Sequence, residues 1–520
     1  MNDKIIDNEN NKGNKIGDKE IIFLIVPIGN YRAWAKVKYR LYSFNGIDND
    51  IENEIESKTS MKIIQKTFNP DKTIFVLSDT LIDNIPFDLL KDLNKYDFEI
   101  IQKLIKEDII NNLLIPEEIK FDDDSFVISF GKGFFVNDKE PIKKITEIIG
   151  NSEDFYYFIL FSLANLFFDS IIKSDKIQNI KQIQETNLKI IIDTTHGINY
   201  QTVLVYKAVL ELLKIFAFYF KNVFLVVYNS DPYINPNVLQ KLPDKRVLNI
   251  NIIEFTKVIP FFNVFKSSNT KFLTKSAYYN ENIDQNYLKE FTKIENVNKE
   301  FMDNIYSFAA SFIFGCPLYA IYFIPDSKKL YDIILNVFNK YINSIDFILE
   351  ENSLTENENF VKIFINKKLT FTLEFENFIK IYILSKLLDL FNISKKLEIS
   401  IKDIKDFNKL TYKRYFPLEY NRNSEEIRNI EKNINNLQSS QELSNLNLSN
   451  WVLYNNLIKK YNPNSSNEIK KRNFFAHSGF EYNSVFIKKV SDIIYLKPND
   501  NKIQEIKKYI LIDNLPNISK

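Results

Sequence analysis

The chain has 520 residues and a mass of 61.5 kDa, which is too long for one ordinary hydrophobic core and predicts two or three domains. Its formal net charge is +1, so no global field attracts nucleic acid, although neutrality is compatible with a local basic patch. The single cysteine excludes an intrachain disulfide and a thiolate zinc site, and it indicates a reducing, cytoplasmic location.

The amino-terminal part begins with a polar arm and continues with buried strands. Residues 1–19 lack the apolar stretch of a signal peptide, so we expect a disordered arm. Strand, loop, helix and strand within about forty residues form a βαβ unit, and repeated units give a parallel sheet. We therefore predict an α/β, Rossmann-like domain over residues 20–235. Strand patterns cover 21–28 and 36–41, and apolar strands that continue into polar residues lie in 73–80, 189–199 and 222–232; a helical pattern covers 200–220.

The carboxyl-terminal part shows helical periodicity. Residues 305–324 carry no charge over twenty positions, which suits either a membrane span or a buried helix. We favour a buried helix broken near Gly315 and Pro317, because no basic cluster flanks the segment. Further helical patterns cover 329–350 and 375–391, and the polar stretch 435–450 indicates a loop or insertion. Residues 301–520 are predicted to be mostly α-helical, and 236–300 are a connector of unassigned structure.

Distinctive residues follow the predicted parallel strands, where open sheets bind their ligands. They occur as Gly29-Asn30, Ser78-Asp79-Thr80, Thr194 to Asn199, and Asn229 to Asp231. Glycine lets the backbone approach a ligand, and hydroxyl, amide and helix-start N–H groups suit phosphate oxygens. Neither GxGxxG nor a P-loop is present, so a dinucleotide cofactor has no support. The alternative for THGIN at 195–199 is a turn that only starts the next helix.

A second element pairs an arginine with a histidine at a spacing of five, Arg472 to His477. The chain has only seven arginines and two histidines, so chance gives such a pair on the order of 3% of the time. Histidine can move protons to or from RNA oxygens, and a guanidinium can offset charge on phosphate, so the pair suits RNA cleavage without a metal.

Five residues on a regular helix correspond to about 140° of rotation, so Arg472 and His477 would not share one helix face. Either the element spans a helix end, or two subunits share the site. The alternative is a solvated arginine and a histidine at a helix terminus, where a cation is favoured in any case.

The two elements together resemble a known family. RNFFAH at 472–477 resembles the RxxxxH signature of HEPN ribonuclease domains. DTTHGIN at 193–199, with PIGN at 27–30 and SDT at 78–80, resembles the CARF sensor domain of CRISPR type III accessory proteins. A sensor followed by a helical nuclease is the order of the CARF–HEPN ribonucleases. The resemblance implies an amino-terminal CARF domain with a parallel sheet and a helical HEPN domain at 301–520.

The resemblance also implies roles for individual residues. Arg472 and His477 would be catalytic and Asn473 would support them, in a composite site formed by two copies of the chain. A second set of residues would line a pocket at the CARF dimer axis and bind a cyclic oligoadenylate, with tetra-adenylate as the expected ring. These residues are Gly29, Asn30, Asp79, Thr80, Thr195, His196, Gly197 and Asn199.

The implied function is a metal-independent endoribonuclease that cleaves single-stranded RNA in type III CRISPR antiviral defence. It would need no cofactor for catalysis, form a dimer or higher homo-oligomer, and have no membrane partner. Ring binding would activate it by a population shift, because the ring prefers the competent arrangement of the nuclease domains. The alternative is a ligand-sensing regulator whose helical half binds nucleic acid or protein without cutting it.

Overall fold

The computed structural model describes ten stretches of the chain. They are residues 19–41, 54–137, 143–177, 179–232, 247–264, 271–279, 284–355, 358–439, 448–458 and 468–512. The predicted arm at 1–19, apart from its last residue, lies outside the described residues. So do residues 440–447 of the predicted polar insertion, whose first residues continue a helix that ends at Ser439.

Strands and helices alternate in the first half of the chain and helices predominate in the second. The strands are β1 Glu20–Pro27, β2 Val37–Leu41, β3 Glu54–Ser57, β4 Lys72–Ser78, β5 Phe126–Ser129, β6 Gly133–Asn137, β7 Lys143–Ile149, β8 Asn187–Asp193, β9 Asn222–Ser230, β10 Val247–Lys257, β11 Leu273–Lys275, β12 Ile345–Thr355, β13 Glu358–Lys367, β14 Leu369–Phe371, β15 Ile399–Ser400, β16 Val452–Leu453, β17 Val485–Val490 and β18 Ile493–Pro498. The α-helices are α1 Met61–Phe68, α2 Phe98–Ile109, α3 Glu153–Lys173, α4 Asn199–Phe216, α5 Gln285–Thr292, α6 Lys299–Ile313, α7 Pro317–Phe323, α8 Ser327–Asn343, α9 Leu373–Leu390, α10 Ile401–Thr411, α11 Pro417–Ser439, α12 Tyr454–Ile458, α13 Lys471–Ala476 and α14 Ile503–Ile512.

The first sheet has eight strands in the order β3-β2-β10-β9-β8-β1-β4-β5. The five strands from β9 to β5 are mutually parallel, whereas β10 runs antiparallel to β9. Among the parallel strands, β4 and β5 lie on one side of β1, whereas β8 and β9, which come later in the chain, lie on its other side. The strand order therefore reverses between β1 and β8, which is where doubly wound sheets form a ligand crevice.

The predicted strands of this sheet are confirmed, and so is the fold class of an α/β domain followed by a helical region. The continuous apolar run in β1 fits a central parallel strand covered by helices on both faces, and Leu24, Ile25 and Val26 are fully buried. The alternating pattern of β2 gives alternating burial, as predicted for a half-exposed strand. Strand β10 lies within 236–300, the connector whose secondary structure the sequence did not predict. This strand pairs with β2 and β9 in the first sheet.

A second sheet connects the two halves of the chain. Its strand order is β12-β13-β7-β6, with β13 parallel to β7 and both outer pairs antiparallel. The prediction of one helical pattern over 329–350 is wrong for its last residues, because α8 ends at Asn343 and β12 begins at Ile345. Pairing with β13 provides the backbone hydrogen bonds that make this segment a strand. The periodicity of the segment itself does not reveal that partner, so the sequence predicted a helix.

Helices form most of the carboxyl-terminal region, which also contains a small antiparallel sheet, β15-β18-β17-β16. Residues 305–324 form two buried helices, as predicted. Helix α6 ends at Ile313, Gly315 follows with φ +66°, and Pro317 starts α7. Proline is well suited to the first position of a helix, where its missing N–H needs no partner.

Helix α3 is long and apolar enough to cross a membrane by length and composition. In the structure most of its side chains are buried. It packs against α4, and the Phe168 and Phe216 rings lie 5.3 Å apart. Such burial is what a core helix that is apolar on all sides requires.

Candidate active site and ligand pocket

The Arg-x4-His element lies at the end of the short helix α13. Arg472 and Asn473 are exposed on the helix, Phe474 is buried beneath it, and His477 follows its last residue. The element therefore spans a helix end, which was one of the two geometries predicted for it. Whether two copies of the chain share the site stays a prediction.

Left-handed backbone conformations turn the chain directly after His477. Ser478 has φ +53° and Gly479 has φ +84°. The amide of Gly479 donates to the carbonyl of Phe474 at 2.7 Å, and that of Ser478 donates to Phe475 at 3.1 Å, which closes the helix in the manner of a Schellman motif. A Cβ on Gly479 would lie 2.8 Å from Cδ2 of Tyr319, so glycine is required for space as well as for conformation.

A carboxylate from another helix contacts His477. Oε1 of Glu426, on α11, lies 3.0 Å from Nδ1 of the imidazole. The His477 side chain is 35% exposed and that of Glu426 is 17% exposed. The hydrogen bond to Glu426 and the negative charges of Glu426 and Glu481 raise the pKa of His477 above its ordinary value, against the opposing effect of burial. The imidazole is thus biased toward the protonated form that can donate a proton.

Arg472 is available for a ligand. Within the described stretches its guanidinium has neither a hydrogen bond nor an ion pair. A second arginine is already engaged: Nε of Arg422, also on α11, donates to Oγ of Ser478 at 2.8 Å, and Nη2 donates to the carbonyl of Phe314 at 3.1 Å. Arg472 can therefore bind a phosphate, whereas Arg422 fixes the turn that carries His477.

A pocket of about 310 Å³ opens at the carboxyl edge of the first sheet, close to the point where the strand order reverses. The loop after β1, the segment between β3 and α1, the ends of β8 and β9, and strands β2 and β10 contribute to it. Its lining includes Ala33, Trp34, Tyr39, Lys58, Thr195, His196 and residues 229–232.

Two of the eight residues predicted to bind the ligand, Thr195 and His196, line this pocket. Gly29 and Gly197 hold the loops behind it: the amide of Gly29 donates to the carbonyl of His196 at 3.0 Å, and a Cβ on Gly197 would overlap the Thr202 hydroxyl. Asn30 and Asn199 are exposed at helix starts outside the lining.

The structure does not bring Asp79 and Thr80 to the pocket. The carboxylate of Asp79 is 0% exposed and lies 2.8 Å from Nζ of Lys367, which is equally buried. It also accepts from the hydroxyl of Tyr96 at 2.8 Å and from the amide of Gly131 at 2.6 Å. Thr80 is buried as well, with its hydroxyl 2.5 Å from that of Ser78. In this structure the two side chains are part of the core.

His196 is held as a neutral ring. Its Nε2 accepts from the amide of Ser60 at 3.4 Å and lies 3.2 Å from the hydroxyl of Tyr39. Because a backbone N–H can only donate, Nε2 carries the lone pair and the ring proton is on Nδ1. Burial lowers the pKa of His196 to about 3, so the ring stays neutral at physiological pH.

Sequence patterns gave no indication of Trp34 and Lys58. The Trp34 ring stacks on His196, with centroids 4.1 Å apart. Lys58 lines the same pocket, and its ammonium has no ion pair with any residue in the described stretches. Tryptophan is rare in this chain, with two copies, and that rarity is the one signal that could have drawn attention to Trp34. No comparable signal distinguishes Lys58 or Glu426 among so many lysines and acidic residues.

Comparison with known proteins gives matches in both halves of the chain. A family model described as the CARF domain of CRISPR system endoribonuclease Csx1 matches residues 23–232. A second, described as the HEPN domain of the same endoribonuclease, matches residues 417–500 and includes Arg472 and His477. The chain is also 29% identical over 508 residues to CRISPR system endoribonuclease Csx1 of Methanocaldococcus jannaschii, covering 94% of each chain. The order of the two domains, the RxxxxH element and the full-length similarity agree, and the chain belongs to the CARF–HEPN family of CRISPR accessory ribonucleases.

Proposed function

We propose that this protein is an endoribonuclease that cleaves single-stranded RNA in type III CRISPR defence. It acts without a metal and only after a cyclic oligoadenylate has bound in the CARF domain. The observation that carries the proposal is the geometry at α13. There Arg472, which has no partner among the described residues, and a carboxylate-bound His477 lie at one exposed helix end. These are the two groups that phosphodiester cleavage by proton transfer needs.

His477 exchanges protons with the RNA, at the attacking 2′-hydroxyl or at the leaving 5′-oxygen. Arg472 binds the phosphate and offsets the charge that it gains in the transition state, through a planar group suited to two hydrogen bonds. The proposed site is composite, with one α13 from each of two copies of the chain. A twofold axis matches a ring ligand of twofold symmetry, since each copy contacts half of the ring.

The pocket at the CARF domain offers groups for both parts of a nucleotide. The Trp34–His196 stack provides an aromatic surface for adenine, and Lys58 provides a positive charge for a phosphate. The neutral His196 keeps its Nδ1–H as a donor, and within the described residues that proton has no protein acceptor.

A continuous series of contacts supports activation by a ring. Helix α4 starts beside the pocket and is about 27 Å long, from its 18 residues. At its far end Phe218 stacks on Phe416, with ring centroids 5.6 Å apart, and the carbonyl of Phe220 accepts from Arg414 at 2.7 Å. Phe416 directly precedes α11, the helix that carries Glu426. Movement of α4 can therefore reach the residue that contacts His477.

The direct test incubates the protein with fluorescent single-stranded RNA and tetra- or hexa-adenylate rings, with EDTA present throughout. We expect cleavage with one ring size and little cleavage without a ring. If every ring fails to stimulate cutting, the regulator that binds without cutting becomes the better description. If cutting needs added divalent ions, the metal-independent chemistry is wrong.

Replacing Trp34 with alanine should weaken ring binding roughly tenfold to a hundredfold, because base stacking on an aromatic contributes about 1–3 kcal/mol. Trp451→Ala, which changes the only other tryptophan, is the matched control and should leave the affinity unchanged. The same pair supports a direct readout: in Trp451→Phe, Trp34 is the sole tryptophan, and its fluorescence should change as the ring is titrated. Unaltered affinity in Trp34→Ala would place the ring elsewhere.

A further inference from the structure

Glu426 has an arrangement that is unusual for a surface glutamate. Its side chain is largely buried, and its carboxylate is directed at one nitrogen of one of the two histidines in the chain. Nδ1 of His477 is engaged by this contact, and Nε2 has no hydrogen-bond partner among the residues that the structure describes. The imidazole is therefore held at one nitrogen and open at the other.

We propose that Glu426 is a positioning residue for RNA cleavage, which holds Nδ1 of His477 so that Nε2 is the nitrogen that exchanges protons with the RNA. The inference rests on the proposed function and adds a residue from a different helix to the catalytic element. A carboxylate that accepts from one ring nitrogen fixes both the tautomer and the orientation of an imidazole.

The same helix fixes the backbone on the other side of the imidazole. Arg422 lies one turn before Glu426 on α11 and binds the hydroxyl of Ser478, the residue after His477. Its second bond, to the carbonyl of Phe314, ties this arrangement to the end of α6. Because side chain and backbone are both held from α11, His477 has little freedom to rotate away from a productive orientation.

Two carboxylates near His477 both raise its pKa. Glu426 faces it from α11, and Glu481 lies in the turn that follows α13. Tyr482 has its ring 5.9 Å from the imidazole, and Tyr454, on α12, packs against Tyr482 at 5.3 Å. Burial and the nearby carboxylates raise the pKa of both tyrosines, so both are neutral, and the two glutamates supply the negative field.

The test uses two changes at one position. Glu426→Gln keeps an oxygen that can accept from Nδ1 but removes the charge, whereas Glu426→Ala removes both. We expect kcat to fall roughly tenfold to a hundredfold in Glu426→Ala, with KM little changed, because misplacement of a catalytic group acts on the chemical step. Glu426→Gln should retain more activity, and the limb of its pH–rate profile that depends on His477 should move to lower pH. The neighbouring, exposed Glu425→Gln is the matched control and should behave as the parent protein.

A readout that needs no activity is the NMR titration of the histidine ring protons. With two histidines in the chain, the His196→Ala variant assigns both signals. The pKa of His477 should fall in Glu426→Gln and stay unchanged in Glu425→Gln. An unchanged His477 titration, or an unchanged kcat in Glu426→Ala, overturns the inference. Full activity in His477→Ala would instead overturn the proposed function, and the titration would still report whether Glu426 controls the ring.

Discussion

Replacing His477 with alanine is expected to lower RNA cleavage by about 10²–10⁴-fold, which is the usual contribution of a positioned acid or base. The variant loses the imidazole at the end of α13, the side chain whose ordinary pKa suits proton transfer at neutral pH. The side chain is 35% exposed and contacts one carboxylate, so its removal leaves no buried cavity. The measurement is the single-turnover rate of RNA cleavage at saturating ring, with thermal unfolding as the check that the fold is retained.

The other histidine provides a reciprocal control for the same experiment. His196 lines the CARF pocket, and no residue of α13 is among the described residues that line it. We expect His196→Ala to weaken ring binding and His477→Ala to leave it intact, whereas only His477→Ala changes the rate at saturating ring. If both variants equally lowered the rate of RNA cleavage at saturating ring, the assignment of ring binding to His196 and of cleavage to His477 would be wrong.

Much of the first sheet could be predicted because its strands carry their signal locally. A parallel strand covered on both faces must be apolar throughout, and β1, β4, β8 and β9 each show such a run followed by polar loop residues. The position of the ligand crevice, where the strand order reverses, then follows from the topology. It requires only that the loops after β1 and β8 be neighbours. The amide of Gly29 and the carbonyl of His196 are hydrogen-bonded across this boundary.

Strand β12 could not be predicted because its partners are distant in sequence. Its apolar positions continue the periodicity of α8, and only the hairpin with β13 makes it a strand. Strand β13 in turn pairs with β7, where Ile363 lies opposite Thr146. Pairing between strands so far apart in the sequence is set by the tertiary structure. The propensity of a residue for a β-strand depends on such contacts more than its propensity for a helix does.

The residues of the candidate sites also differ in whether the local sequence predicts them. Arg472, His477, Thr195 and His196 belong to short motifs, so their identities can be read along the chain. Glu426 reaches His477 from 51 positions away through helix packing, and the surrounding residues of α11 contain several similar acids. For Asp79, position at a strand end did not predict the direction of the side chain, because a residue after a parallel strand can turn either toward the crevice or into the core, where this carboxylate lies.

The buried pair of Asp79 and Lys367 leads to the largest expected effect on stability. Both side chains are 0% exposed, and Lys367 also donates to the carbonyl of Gly131. Lys367→Met keeps the length of the side chain but leaves the Asp79 carboxylate without its counter-charge. Removing one partner of a buried ion pair costs about 3–5 kcal/mol, because the remaining charge has no solvent to stabilise it. We expect a loss of that size in the free energy of unfolding, measured by urea denaturation.

The double variant Asp79→Asn with Lys367→Met decides between charge and packing as the cause. Asparagine can still accept from the amide of Gly131, and its NH₂ group can donate to the hydroxyl of Tyr96, so both hydrogen bonds have a substitute. With no charge left unpaired, the double variant should be more stable than Lys367→Met alone. The exposed pair of Lys103 and Glu107 is the control, and Lys103→Met should change stability by less than about 0.5 kcal/mol. If Asp79→Asn instead left stability unchanged and abolished ring binding, Asp79 would be a ligand residue after all, since the core would have tolerated the loss of its charge.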